Sequence, residues 1–119
     1  MIVDDERPLV ALVEEITAQL GYEPVGFDSS CAALDAFRDA PERFDVLLTD
    51  ESMPELVGTE LAKAVRRIRS AIPVILMTGY AGTLLANRAA NSGVNEVLRK
   101  PLHRRDLAES LARIIKSVH

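Results

Sequence analysis

Short β-rich segments alternate with helical ones five times along this chain, and no other feature restricts its fold as far. A strand, a helix and a second strand in succession form a right-handed crossover that leaves the two strands parallel. Strands are expected at residues 1–4, 22–27, 44–50, 72–77 and 94–98. The first helix should start at about Pro8, a residue suited to a first helical turn. It should turn Leu9, Leu12, Val13, Ile16 and Leu20 inward and end at Gly21. Ser29 or Asp28 can cap the second helix, which carries Ala33, Leu34 and Phe37 and stops before Pro41. The third should begin near Thr59 with Leu61, Val65 and Ile68 inward, and the fourth covers roughly 83–91 and ends near Gly93. The fifth runs over about 104–117, burying Leu107, Leu111, Ile114 and Ile115.

Two details order the strands. Pro24 cannot donate a ladder hydrogen bond, so the second strand belongs at a sheet edge. The run Val46-Leu47-Leu48 lacks alternation, as a central strand buried on both faces does. The expected fold class is therefore α/β, with a five-stranded parallel sheet of order 2-1-3-4-5 between two helical layers. That is the flavodoxin-like (βα)5 three-layer sandwich.

A chain of 119 residues, 48% of them hydrophobic, suits one globular domain over 1–119. The net charge of -4 argues against non-specific nucleic-acid binding, which needs a dense basic face. The basic group Arg99, Lys100, Arg104 and Arg105 is better explained as a solvated helix start. Cys31 is the only cysteine, so no intrachain disulfide forms and a reducing compartment is the simpler expectation. Its expected place is on the core side of a helix. His103 and His119 lack metal-ligand spacing and are expected at the surface. The apolar runs are too short to span a bilayer and the start shows no secretory signal. A cytoplasmic location follows as the expectation, compatible with excision from a longer, membrane-anchored parent.

In open sheets of this kind ligands bind beyond the carboxyl ends of the strands. Asp4, Asp5 and Glu6 follow the first strand, Asp28 the edge strand, and Lys100-Pro101 the fifth, while Asp50 ends the third and Thr78 the fourth. Carboxylates crowded at one rim raise one another's pKa, and a divalent cation relieves the repulsion. Oxygen ligands without His or Cys favour Mg2+ over zinc. One metal, one lysine and one hydroxyl suit a phosphoryl group, each holding a different equatorial oxygen. A carboxylate at the centre can itself be the nucleophile and form an acyl phosphate, and Asp50 on the middle strand is the natural choice.

Four segments carry a resemblance that covers essentially the whole chain. They are Val3-Asp4-Asp5-Glu6, Leu48-Thr49-Asp50-Glu51-Ser52-Met53-Pro54 with Gly58, Met77-Thr78-Gly79-Tyr80, and Lys100-Pro101. Together they resemble the receiver domain of two-component response regulators. The resemblance implies that Asp50 is the phosphoacceptor in a Mg2+-dependent transfer from a phosphohistidine. The donor would be a histidine kinase or a histidine phosphotransfer protein, and the transfer would switch a protein-interaction surface. It implies that Asp5 binds Mg2+ directly, Asp4 through water, and Ser52 through its backbone carbonyl. Thr78 would hydrogen-bond the phosphoryl group and shift inward, Lys100 would pair with its oxygens, and the Lys100-Pro101 bond would be cis. Such a domain phosphorylates itself and is not an enzyme with an external substrate. It contacts neither membrane nor nucleic acid.

Residues 75–80 and 98–102 are similar to receivers fused at the C-terminus of hybrid sensor histidine kinases. Three features depart from the family pattern. Val97 stands where an aromatic residue is usual, with Tyr80 as a possible substitute. Only Met1 to Val3 precede the acidic pair, so the natural N-terminus is expected further upstream. The charge pattern of dimerising transcription-factor receivers is missing from the last two helices and the strand between them. Leu84, Leu85 and Tyr80 are either part of a partner face or ordinary packing. Two alternatives stay open. A haloacid dehalogenase-like aspartyl-phosphate phosphatase would use a similar residue set, but it needs a second Asp where Ser52 stands. A degenerate receiver would bind partners without phosphorylation.

Overall fold

The computed structural model describes residues 1–79 and 82–118, so the expectations for Tyr80 and His119 lie outside the described residues. The elements run β1 (Ile2–Val3), α1 (Arg7–Gln19), β2 (Gly26–Phe27), α2 (Ser30–Asp39), a 3-10 turn (Pro41–Arg43), β3 (Leu47–Asp50), α3 (Gly58–Ile68), β4 (Val74–Thr78), α4 (Thr83–Asn91), β5 (Glu96–Arg99) and α5 (Arg104–Val118). All strand pairs are parallel and the order is β2-β1-β3-β4-β5, the expected flavodoxin-like arrangement. Asp50 stands beside Met77 and Thr78 beside Arg99 in the ladders, so the carboxyl ends of β3, β4 and β5 share one rim.

The central strands are buried on both faces, which explains their unbroken apolar runs. Leu47 packs on one side with Val3, Ala33, Phe37, Leu61 and Val65, against α2 and α3. Its neighbour Leu48 packs on the other with Ile2, Val10, Ile75, Leu107 and Leu111, against α1 and α5. A small third cluster of Leu76, Leu85 and Ala89 holds α4. Gly21 and Gly93 follow α1 and α4 with φ of 94° and 80°, the left-handed conformation that glycine adopts without cost.

Several elements differ from the expectation in extent or facing. Only Gly26 and Phe27 of the second strand join the ladder, because β1 beside them is itself two residues long. The first helix buries Val10, Val13 and Thr17, and Leu12 is 46% exposed. Thr17 can sit inside because its hydroxyl donates to the carbonyl of Val13 at 2.8 Å, so no polar group is stranded. Ile68, expected inward, is 40% exposed at the last residue of α3. Cys31 is exposed rather than core-side, because Ser30, Ala33 and Phe37 form the inward stripe of α2. Among the described residues no helix is long and apolar enough to cross a membrane.

Ser29 caps α2 as expected, its Oγ accepting the N–H of Ala32 at 3.2 Å while donating to Glu55 Oε1 at 2.6 Å. Ser29→Ala should lower stability by about 1 kcal/mol in urea unfolding, with an unchanged denaturant slope.

Candidate functional site

Each residue at the rim is delivered by a separate strand end. Asp4 follows β1, Asp50 ends β3, Thr78 ends β4, and Lys100 follows β5. Asp4, Asp5 and Asp50 each offer a carboxylate oxygen within 4.8 Å of the others. Asp4 and Asp50 are buried and Asp5 is exposed, so the cluster opens to water on one side. Lys100 Nζ lies 3.0 Å from Asp4 Oδ2 and 3.1 Å from Asp50 Oδ1. Asp4 Oδ1 accepts the N–H of Glu6 at 3.0 Å, which fixes the carboxylate as the chain turns into α1. The N–H of Lys100 donates to the Thr78 carbonyl at 2.7 Å and ties the lysine loop to the end of β4. The Lys100-Pro101 bond is cis.

The structure thus gathers Asp4, Asp5, Asp50 and Lys100 into one cluster, with Thr78 buried at the same rim. Ser52 is exposed in the loop between β3 and α3. Val97 lies on β5, 40% exposed. A separate cavity of about 240 Å³, lined by Met1, Ile2, Val25, Phe44 and Val46 among others, opens where β1 begins and ahead of β3, at the opposite end of the sheet from the carboxylates.

Burial pushes the Asp50 carboxyl above the ordinary aspartate range. The Lys100 hydrogen bond opposes that rise, and the charges of Asp4 and Asp5 add to it. Burial alone would pull Lys100 down, but its bonds to Asp4 and Asp50 outweigh this and hold its pKa above the usual lysine value. The rise at Asp50 is therefore first a cost of burial, to which the neighbouring carboxylates add. The donor set is all oxygen, which suits a hard divalent cation.

Two residues of the motif around Asp50 were given no role in the reading of the sequence. Glu51 is buried, and its carboxylate accepts the N–H and hydroxyl of Thr59 at 2.8 and 3.2 Å and pairs with Arg88 at 3.0 Å. Its place directly after Asp50 was visible, but partners 8 and 37 residues away were not. Gly58 is needed for space, because a Cβ there would stand 2.2 Å from the Asp50 carbonyl oxygen.

The family described as the response regulator receiver domain matches residues 1–112. The chain belongs to that family. This receiver is similar to the response regulator receiver protein CpdR of Brucella abortus, at 28% identity over 97% of this chain and 94% of the relative. It is 30% identical to the sensor protein GacS of Pseudomonas syringae over 92% of this chain but 12% of that protein. A crystal structure of a receiver domain protein from Clostridium thermocellum superposes with a TM-score of 0.91 at 28% identity, covering 98% of this chain and 92% of the other. The chain is therefore a phosphoryl-accepting receiver of two-component signalling, and the phosphatase alternative finds no support.

Proposed function

We propose that Asp50 is the phosphoacceptor and that the receiver unit extends over residues 1–119. The observation that carries this assignment is the bridge from Lys100 to both Asp4 and Asp50, within a triad of carboxylates 4.8 Å or less apart. An Asp50 carboxylate oxygen attacks the phosphorus of a phosphohistidine. The O–P bond forms as the N–P bond breaks, and the electron pair leaves with the imidazole nitrogen. Lys100 already touches the attacking carboxylate, so its ammonium is in reach of a phosphoryl oxygen. Thr78 offers a hydroxyl to a second oxygen. Mg2+ held by Asp4, Asp5, Asp50 and the Ser52 carbonyl would offset the charge that builds up on the phosphoryl oxygens. Hydrolysis of the acyl phosphate resets the domain, which modifies itself and turns over no external substrate.

The donor is a histidine kinase or a histidine phosphotransfer protein. We place this domain in the cytoplasm, whether free or as part of a membrane-anchored parent. The test is intact mass after incubation with Mg2+ and acetyl phosphate. One phosphoryl adduct is expected on the wild type, absent with chelator and absent in Asp50→Asn. An adduct that persists in Asp50→Asn would move the nucleophile elsewhere. A folded wild type without any adduct would favour the degenerate alternative.

A further inference from the structure

We infer that the Glu51–Arg88 ion pair is a latch that holds α4 in the unphosphorylated arrangement and opens when Asp50 is phosphorylated. The inference rests on Asp50 being the phosphoacceptor.

Glu51 is the residue immediately after Asp50 and is fixed on every side. Its N–H donates to the Met77 carbonyl at 3.0 Å, and its own carbonyl accepts the N–H of Gly58 at 3.0 Å. Its carboxylate accepts from both the main chain and the hydroxyl of Thr59, at the start of α3. This carboxylate therefore moves with β3 and α3. Arg88 belongs to α4, and its guanidinium reaches Glu51 Oε2 at 3.0 Å.

The rest of α4 is lightly held. Among its described residues only Leu85 and Ala89 are buried, and they pack in the smallest of the three apolar clusters. In the chain α4 is the next element after β4, which ends at Thr78. Thus α4 follows the strand whose last residue is to hold a phosphoryl oxygen, and is tethered through Arg88 to the residue beside the nucleophile. When Thr78 turns toward the phosphoryl group, α4 is displaced relative to Glu51, which stays with α3. A shift of α4 by about 1 Å carries the pair from 3.0 Å to the outer limit of an ion pair.

The two halves of the pair differ in what opening costs them. The Arg88 side chain is 54% exposed and regains water at once. The Glu51 side chain is 9% exposed, but it keeps both bonds to Thr59. Neither group is left without a partner, so the contact can open and reclose. A contact that favours the unphosphorylated arrangement lowers the population of the arrangement that accepts the phosphoryl group, and the labelling rate falls with that population.

The test uses Arg88→Met, which keeps the stem of the side chain, with Arg88→Lys as the charge-conserving rescue. Two quantities are measured, the initial rate of adduct formation from acetyl phosphate with Mg2+ and amide hydrogen exchange over residues 83–91. Arg88→Met is expected to label about fivefold faster or more, with Arg88→Lys restored toward the wild type. Exchange in 83–91 should rise in Arg88→Met before phosphorylation, with α3 unchanged, and should rise to the same extent in the wild type once phosphorylated. Glu51→Gln, which keeps acceptors for Thr59, should behave like Arg88→Met. Equal labelling rates in wild type and Arg88→Met would overturn the latch, as would α4 protection that phosphorylation leaves unchanged. Absence of any adduct on the wild type would instead overturn the assignment of Asp50.

Discussion

Gly58→Ala is expected to lower the stability of this receiver by about 3 kcal/mol, the upper part of the range for overpacking. The new Cβ would stand 2.2 Å from the Asp50 carbonyl oxygen, 2.9 Å from its carbonyl carbon and 2.8 Å from Leu76 Cδ1. The first two are main-chain atoms at the end of a central strand, which cannot swing aside as a flexible side chain would. The backbone at Gly58 is ordinary helix, so the restriction is one of space alone. Relief must come from moving the segment around Asp50, and that segment carries the proposed nucleophile. The urea midpoint should fall with the slope unchanged, and phosphoryl labelling should fall with it even in buffer where the variant is fully folded. A variant with a wild-type midpoint would show that β3 and α3 separate easily, contrary to the packing described above.

The second large effect is a pair of opposite signs from one cluster. Without metal, Asp50→Asn should be more stable than the wild type and Lys100→Met less stable. Asp50 has a raised pKa in the folded state, so its charged form is disfavoured there by burial and by Asp4 and Asp5. Removing that charge should stabilise by about 1 kcal/mol, or roughly 4 °C in a chain of this size. Removing Lys100 takes away the cation that contacts two buried carboxylates, at a cost on the order of 2 kcal/mol. It should also slow phosphoryl labelling by roughly a hundredfold.

The pH dependence of the first effect has a definite sign. Between the unfolded value and the raised folded value, the folded protein binds more protons at Asp50 than the unfolded chain does. Wild-type stability from this group therefore rises as pH falls through that window, and the advantage of Asp50→Asn shrinks and closes once Asp50 is protonated. Mg2+ competes with that same proton, so its stabilisation of the wild type should fade over the same window. Thermal melts of the three proteins across pH, with and without Mg2+, measure all of this. Identical midpoints for wild type and Asp50→Asn at neutral pH without metal would refute the account of Asp50 as a buried, crowded carboxylate.

Much of the site could be read from the chain because its parts lie at strand ends, where position follows from topology. Once residues 44–50 are taken as the central strand, Asp50 has to face the rim that also receives Asp4, Thr78 and Lys100. Facing within helices was less legible. The first helix carries Leu9, Val10, Leu12, Val13, Ile16 and Leu20, enough apolar residues to draw two neighbouring stripes. The stripe chosen by the fold includes Thr17, whose hydroxyl is satisfied by its own helix. Cys31 turned outward because the inward stripe of its helix runs through Ser30, Ala33 and Phe37. The Glu51–Arg88 contact was out of reach, because a charge-to-charge pair across 37 residues leaves no periodic trace.

The two outer strands have a consequence for life at high concentration. A free sheet edge is a template on which another chain can add a strand and start an aggregate. One edge here, β2, is two residues long and preceded by Pro24, which offers no donor. The other, β5, carries Glu96 and Arg99, and Glu96 is held by Arg113 at 2.7 Å and by Ser110 at 2.9 Å. Copies of this domain at high concentration meet short or charged borders rather than long apolar ones along which to fuse.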